Sequence, residues 1–334
     1  MDFRDSFEAK YKDIMNSYLK DQNEQSLYQA QKLSRKLIEH QIAPEEIISL
    51  HKTIMLEHDL NRKSISDSFD ILLEVMIGYG LSYREHQSLR TEQLALKSEI
   101  EVAASMQKTL LGTSLPEIDG LDIGAVSVPA RQMNGDYHHF VKDENNCLGI
   151  ALADVIGKGI PAALSMSMIK YAMDSLSENR HDPSAILESL NRVVEQNVDP
   201  SMFITMCYGM YNPKENSFCY ASAGHEPGFY YSSKNGKFLD LDGKGLLLGL
   251  EKKTKYKNYE LKVSKGDMII LLSDGVTECR TKEGFIDRSD LTSYIQQYIH
   301  LPAQDIVTNI YKDLERLQEF ELRDDFTLII LKRT

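Results

Sequence analysis

The chain has 334 residues, enough for about two domains at roughly 150 residues each. Its 42% apolar and 26% charged content is that of an ordinary globular protein, which excludes disordered, collagen-like and disulfide-dense readings. Fifty acidic against 38 basic side chains leave a net charge of −12, so non-specific attraction to nucleic acid or anionic lipid is disfavoured and phosphate chemistry would need a local positive centre.

The N-terminus carries charges where a secretory signal needs a basic start and an apolar run. No stretch approaches the ~20 apolar residues of a membrane span. The four cysteines (Cys147, Cys207, Cys219, Cys279) form no C-x-x-C pair, so reduced thiols and a cytoplasmic location are expected, with no nucleic-acid or membrane partner.

Residues 1–84 read as helix, with few glycines and apolar residues recurring at three and four, as in Leu27, Ala30, Leu33 and Leu37. Ala43-Pro44 followed by Glu45-Glu46 marks a new helix start, because proline suits the first helical position and acids suit the positive end of the macrodipole. A bundle of three or four helices of about 15 to 20 residues fits this length.

Residues 85–111 contain no Pro or Gly, and Leu89, Leu96, Ala103 and Leu110 recur at seven with Ile100 on the intervening seam. Gln93 and Gln107 interrupt that seam. The pattern predicts a connecting helix, either one strand of a dimeric coiled coil or packed on its own domain, ended by Gly112 and Pro116.

After residue 116 short β-branched runs predict strands at 121–128, 147–155, 202–211, 218–223, 268–273 and 326–331. Helices are expected near 161–178, 183–197, 288–299 and 302–319. Paired runs of strands with paired runs of helices favour a layered α+β sandwich, and the chemistry is expected in this half.

Several chemistries fall on inspection. A P-loop around Gly157-Lys158 would need glycine at Leu152 and Ser/Thr at Gly159. A cysteine phosphatase would need arginine where Ala153, Pro213, His225 or Phe285 stands. Ser222 lacks the first glycine of a nucleophile elbow, and there is no His-Glu-x-x-His motif or kinase glycine loop. What remains is a set of aspartates at strand ends beside glycines: Asp136, Asp154, Asp274 and the pair Asp324-Asp325. Each alone reads first as a turn residue. As a set they would repel one another unless a cation neutralised them, and all-oxygen ligands select Mg²⁺ or Mn²⁺. Two such ions about 3.5–4 Å apart would serve in-line displacement at phosphorus.

Gly135-Asp136-Tyr137, Ala153-Asp154-Val155-Ile156-Gly157-Lys158-Gly159, Ser222-Ala223-Gly224-His225, Ser273-Asp274-Gly275-Val276-Thr277-Glu278 and Asp324-Asp325-Phe326-Thr327 stand in an order that resembles bacterial PPM-type (PP2C-like) serine/threonine phosphatases of the sporulation-stage-two-E class. The resemblance covers about residues 116–334. Ser26–Gln31 and Glu74–Gly80 extend it to members that act in the general-stress sigma-factor pathway.

The resemblance implies an all-α N-terminal helical bundle (1–84), a helical linker (85–115) and a PPM/PP2C-like β-sandwich flanked by helices (116–334). It implies two Mn²⁺ or Mg²⁺ ions held by Asp136, Asp154, the Val155 carbonyl, Asp274 and Asp324, with Asp325 the alternative to Asp324. The attacking group would be a metal-bridging water, with no side-chain nucleophile. His225 is a candidate to assist the leaving group or bind phosphate, against a purely structural role. The implied substrate is a phosphorylated anti-anti-sigma protein, with a kinase-like activator at the N-terminal domain; the heptad pattern adds the expectation of a homodimer through the linker helix. A non-catalytic phosphoprotein-binding scaffold and a hydrolase of a small phosphorylated metabolite are the alternatives.

The chain departs from the class at Asn134, His138 and His139, which replace Gly, an aromatic residue and Asp. His138 and His139 offer a second, imidazole reading of the metal site. Lys158 is read either as attracting phosphate or as a solvated helix-start lysine; the phosphate-clamping arginine of eukaryotic relatives has no clear counterpart, Arg131 being a candidate.

Overall fold

The structure is a computed structural model and describes residues 3–57, 61–156, 159–175, 182–199, 202–281, 284–320 and 322–334. Gly157, Lys158 and the expected helical residues 176–178 lie outside them. The chain forms two compact units, Met1–Ser98 and Glu99–Thr334.

The first unit is helical: α1 (Phe3–Asp21), α2 (Glu24–Glu39), α3 (Pro44–Glu57) and α4 (Arg62–Leu111), the last continuing into the second unit. Asn23 caps α2 by accepting from the Ser26 amide, and Pro44 with its two acids opens α3 as its residues dictate. Tyr11, Met15, Leu33, Leu37, Ile47, Ile54, Ile71 and Val75 fill the core. Gly78 is required by close approach: a Cβ there would stand 2.2 Å from the Ser34 hydroxyl oxygen on α2. The helix does not break near residue 84, so the expected connecting helix is the distal part of one 50-residue element. Leu89, Leu96 and Leu110 are exposed along it.

The second unit is a sandwich of two antiparallel five-stranded sheets. One comprises β2 (Asp136–Lys142), β3 (Leu148–Ile156), β4 (Phe203–Asn212), β5 (Ser217–Ala223) and β8 (Tyr259–Lys262) in that order. The other runs β1 (Leu121–Val128), β12 (Phe326–Arg333), β9 (Met268–Leu272), β6 (Gly228–Ser232), β7 (Lys237–Leu241). Apolar side chains such as Ile150, Leu152, Phe218, Ile269 and Ile329 fill the space between the sheets. Helices α5 (Ile160–Ser175) and α6 (Pro183–Asn197) cover the outer face of the first sheet, and α8 (Arg288–Tyr298) and α9 (Ala303–Leu317) that of the second. A short helix α7 (Asp274–Thr277) and a small hairpin, β10 (Arg280–Thr281) with β11 (Gly284–Phe285), complete it. The α+β layering is as expected. Strands β2, β6, β7, β8 and the β10–β11 hairpin are additional to the predicted runs: they are short or polar, β2, β7 and β8 on sheet edges, and lack the continuous apolar signal of doubly covered strands.

Candidate active site

The aspartates fall into two groups at neighbouring strand ends. Asp136, the first residue of β2, pairs directly with Asp154 on β3. Two like charges opposed across a ladder are destabilising unless something offsets them. The next turn of chain brings backbone to the same place: the hydrogen of Gly135 points where a Cβ would be 3.0 Å from Asp325 Oδ2, 3.5 Å from Asp154 Oδ1 and 3.8 Å from the Val155 carbonyl oxygen. Asp154, the Val155 carbonyl and Asp325 therefore converge on Gly135.

The second group forms where β9 ends beside the start of β12. Ser273 donates its amide to the Thr327 carbonyl at 3.0 Å, and the Thr327 amide donates to Ser273 Oγ at 3.0 Å. Gly275 lets α7 lie against the chain at 324–325, since a Cβ there would be 2.1 Å from the Asp325 carbonyl oxygen. Asp274 and Asp324 become electrostatic neighbours, and Asp324 is the strongest charge acting on Asp274.

Burial pushes the Asp136 carboxyl well above the usual carboxylate range; the Thr327 and Ser273 hydroxyls oppose this, and the charges of Asp154 and Asp325 add to it. The Asp136 side chain is 3% exposed, and its Oδ2 has no hydrogen-bond partner among the described residues. Burial, then the charges of Asp324 and Glu278, raise Asp274 as well. Asp325 differs in having both carboxylate oxygens engaged by backbone: Oδ1 accepts from Ala130 N–H at 2.7 Å and Oδ2 from Gly135 N–H. Among the described residues no three His, Cys, Asp or Glu side chains already close on one point. The donor set nonetheless fits a hard divalent cation: it is all oxygen, it carries excess negative charge, and it holds a buried carboxylate oxygen without a partner.

His225 is buried deep between the sheets. Its Nδ1 lies 2.9 Å from Thr205 Oγ1, and its amide donates to Ser222 Oγ at 3.2 Å. Burial drives its pKa down to about 4, the Leu272 carbonyl opposing, so the ring is neutral at physiological pH. His138 and His139 diverge across the β2 pleat: His138 faces a cavity beside Asp136, whereas His139 Nε2 lies 3.3 Å from Asp174 on α5. Arg131 is exposed on the β1–β2 loop. Gln107 and Asn134 are residues whose place at the site the sequence did not reveal. Gln107 Nε2 donates to the Asn134 carbonyl at 2.7 Å, and Gln107 Oε1 accepts the Asn134 N–H at 3.0 Å. The only available signals were that Gln107 breaks the heptad and that Asn134 replaces a glycine.

Comparison with known proteins adds independent findings. Residues 144–334 match the family described as stage II sporulation protein E (SpoIIE), and residues 9–82 match the N-terminal domain of phosphoserine phosphatase RsbU. The phosphoserine phosphatase RsbU of Bacillus subtilis (strain 168) is 58% identical over 334 residues, covering 100% of this chain and 99% of that protein. The SiaA-PP2C domain of Pseudomonas aeruginosa superposes with a TM-score of 0.62 at 18% identity, over 72% of this chain and 98% of that one. RsbX in complex with magnesium superposes with a TM-score of 0.52 at 20% identity, over 66% and 99%. These two structures show the fold.

Proposed function

The chain belongs to the SpoIIE family of PP2C-like phosphatases, and on that premise we propose that it is a metal-dependent protein serine/threonine phosphatase whose substrate is a phosphorylated anti-anti-sigma protein. What supports this reading is Asp136 opposed to Asp154 on paired strands beside the Val155 carbonyl, Asp274 beside Asp324, and above all Asp136 Oδ2, buried and unpartnered among the described residues. Two Mn²⁺ or Mg²⁺ ions held there would neutralise the carboxylates, activate water and stabilise charge developing on phosphorus.

The chain's own residues do the rest. Asp325 spends both oxygens on backbone amides, which favours Asp324 as the ligand and gives Asp325 the task of holding the loop before Asp136. The neutral, buried His225 is held to the first sheet through Thr205, which stands opposite Asp154, and Ser222, which favours positioning over proton transfer at the leaving group. The 58% identity extends through the N-terminal helices, which supports a kinase-like activator binding there. Its effect would pass through residues 85–111, the covalent path between the units, and the exposed Leu89, Leu96 and Leu110 would support a homodimer. The protein would thereby be a positive regulator of the general stress response, acting in the cytoplasm.

The test is phosphate release from the phosphorylated anti-anti-sigma protein with Mn²⁺, for the wild type and Asp154→Asn, with and without activator. Release that is lost in the variant and raised by activator is expected. Binding of the phosphoprotein with no release under any condition would leave a scaffold instead.

A further inference from the structure

From Glu99 to the end of α4 at Leu111, Gln107 is the one buried side chain, at 6% exposure, and every residue of that stretch is described. A helix that docks on a globular body ordinarily buries apolar side chains. Here the buried group is a primary amide, which is costly to bury unless both its ends are satisfied. Both are, and by the backbone of one residue: Asn134 gives its N–H to Oε1 and receives Nε2 on its carbonyl.

Asn134 passes the constraint onward. Its Oδ1 accepts from the Asp136 N–H at 3.0 Å, and its Nδ2 donates to Ser127 Oγ at 3.0 Å. Ser127 Oγ in turn lies 3.0 Å from Thr327 Oγ1, a hydroxyl that favours the charged form of the Asp136 carboxyl. Much of the remaining face of this helix end borders a cavity of about 540 Å³, lined among others by Ser105, Lys108, Gln132 and His138. The loop before Asp136 is therefore gripped from two sides, by Asp325 through the Ala130 and Gly135 amides and by Gln107 through Asn134.

We propose that Gln107 is a positioning residue for the metal centre: its two hydrogen bonds to Asn134 set the backbone of Asp136 and with it the carboxylate opposed to Asp154. The proposal rests on reading Asp136 as a metal ligand. It also gives the break in the heptad at Gln107 a cause, because that position faces the body rather than a second helix. Loss of the clamp frees the loop, and the cost of reordering it falls on metal binding, since the carboxylates must then be gathered from a looser ensemble.

The experiment is calorimetric titration of the full-length protein with Mn²⁺, comparing wild type with Gln107→Met, which keeps the length of the side chain and removes donor and acceptor. The Kd for Mn²⁺ is expected to rise about tenfold. Gln107→Glu, which sets a carboxylate against the Asn134 carbonyl, should bind no better than Gln107→Met, and carries the comparison if the latter does not fold. In an Asn134→Ala background, where the side-chain relay is cut, Gln107→Met should add less than about twofold to the Mn²⁺ Kd. An unchanged Kd in the folded variant, or effects that simply add, overturns the proposal. A wild type that binds no Mn²⁺ removes the metal reading itself, a failure recognisably different from equal binding by both proteins.

Discussion

Replacing Gly275 by alanine asks whether the β9 end and the start of β12 must touch. The new Cβ would stand 2.1 Å from the Asp325 carbonyl oxygen, 2.9 Å from its carbonyl carbon and 3.3 Å from that of Asp324. All three are backbone atoms, so no side-chain rotation relieves the overlap, and the two segments must part by about 1 Å to reach van der Waals contact. Ser273 and Thr327 pin the strands immediately behind, so the displacement falls on Asp274 and Asp324. Overpacking of this kind costs about 1–3 kcal/mol, which in a unit of this size lowers Tm by roughly 2–10 °C. A misplacement of ~1 Å in catalytic groups costs about 100-fold in rate. We therefore expect Gly275→Ala to fold, to melt a few degrees early, and to release phosphate about 100-fold more slowly at saturating Mn²⁺. Gly80→Ala in α4, where nothing lies within 4 Å of the added Cβ, is the control and should gain about 0.5–1 kcal/mol. A Gly275→Ala protein with wild-type rate and Tm would refute the close approach as a requirement of the site.

Three further outcomes are expected. Burial raises Asp136, so in the metal-free protein its contribution to stability is present at low pH and lost as pH rises through the elevated folded value. Asp136→Asn should then stabilise the metal-free protein at neutral pH by about 1–2 kcal/mol in urea while abolishing Mn²⁺-dependent release; a destabilised variant would show that the carboxylate is satisfied as it stands. Because both Asp325 oxygens accept backbone amides, Asp325→Asn should lower the metal-free Tm by an amount equivalent to about 1–3 kcal/mol, whereas Asp324→Asn should leave Tm and remove metal binding; the reverse pattern would exchange their roles. His225 and His138 are both held down at about 4 by burial, so the unfolded chain binds the extra protons between about pH 6.5 and 4, and stability falls as pH drops through that window. Urea midpoints from pH 7 to 5, taken in an Asp136→Asn background so that the opposing carboxyl is absent, should flatten on His225→Gln; an unaltered slope would mean that the ring already gains a proton in the folded state.

What was legible in the sequence follows from what each element buries. Strand β9 is buried along its whole length and β12 along most of it, so both read as unbroken apolar runs, and the aspartates after or before them stand out as carboxylates at the edge of a sheet. Strand β2 is the reverse case: it opens on Asp136 and carries His138, His139 and Lys142, so no periodicity announces it, although its first residue faces Asp154 directly. The carboxylates could be found one by one, but not their division into two groups, because that depends on which backbone atoms two glycines admit. The choice between Asp324 and Asp325 likewise rests on amides contributed by Ala130 and Gly135, nearly two hundred residues away. Gln107 makes the same point on a helix, where a heptad count registers a polar side chain only as a defect. Its meaning lies in the Asn134 peptide it holds, and no local pattern contains that partner. Polar residues that break a strand or a helical stripe therefore have two sources in this chain: solvent at an edge, or an obligation to a distant backbone group. The second kind, Gln107 and Asp325 together, holds the loop that places Asp136, which is where consistency between local pattern and global fold is expected to fail for functional reasons.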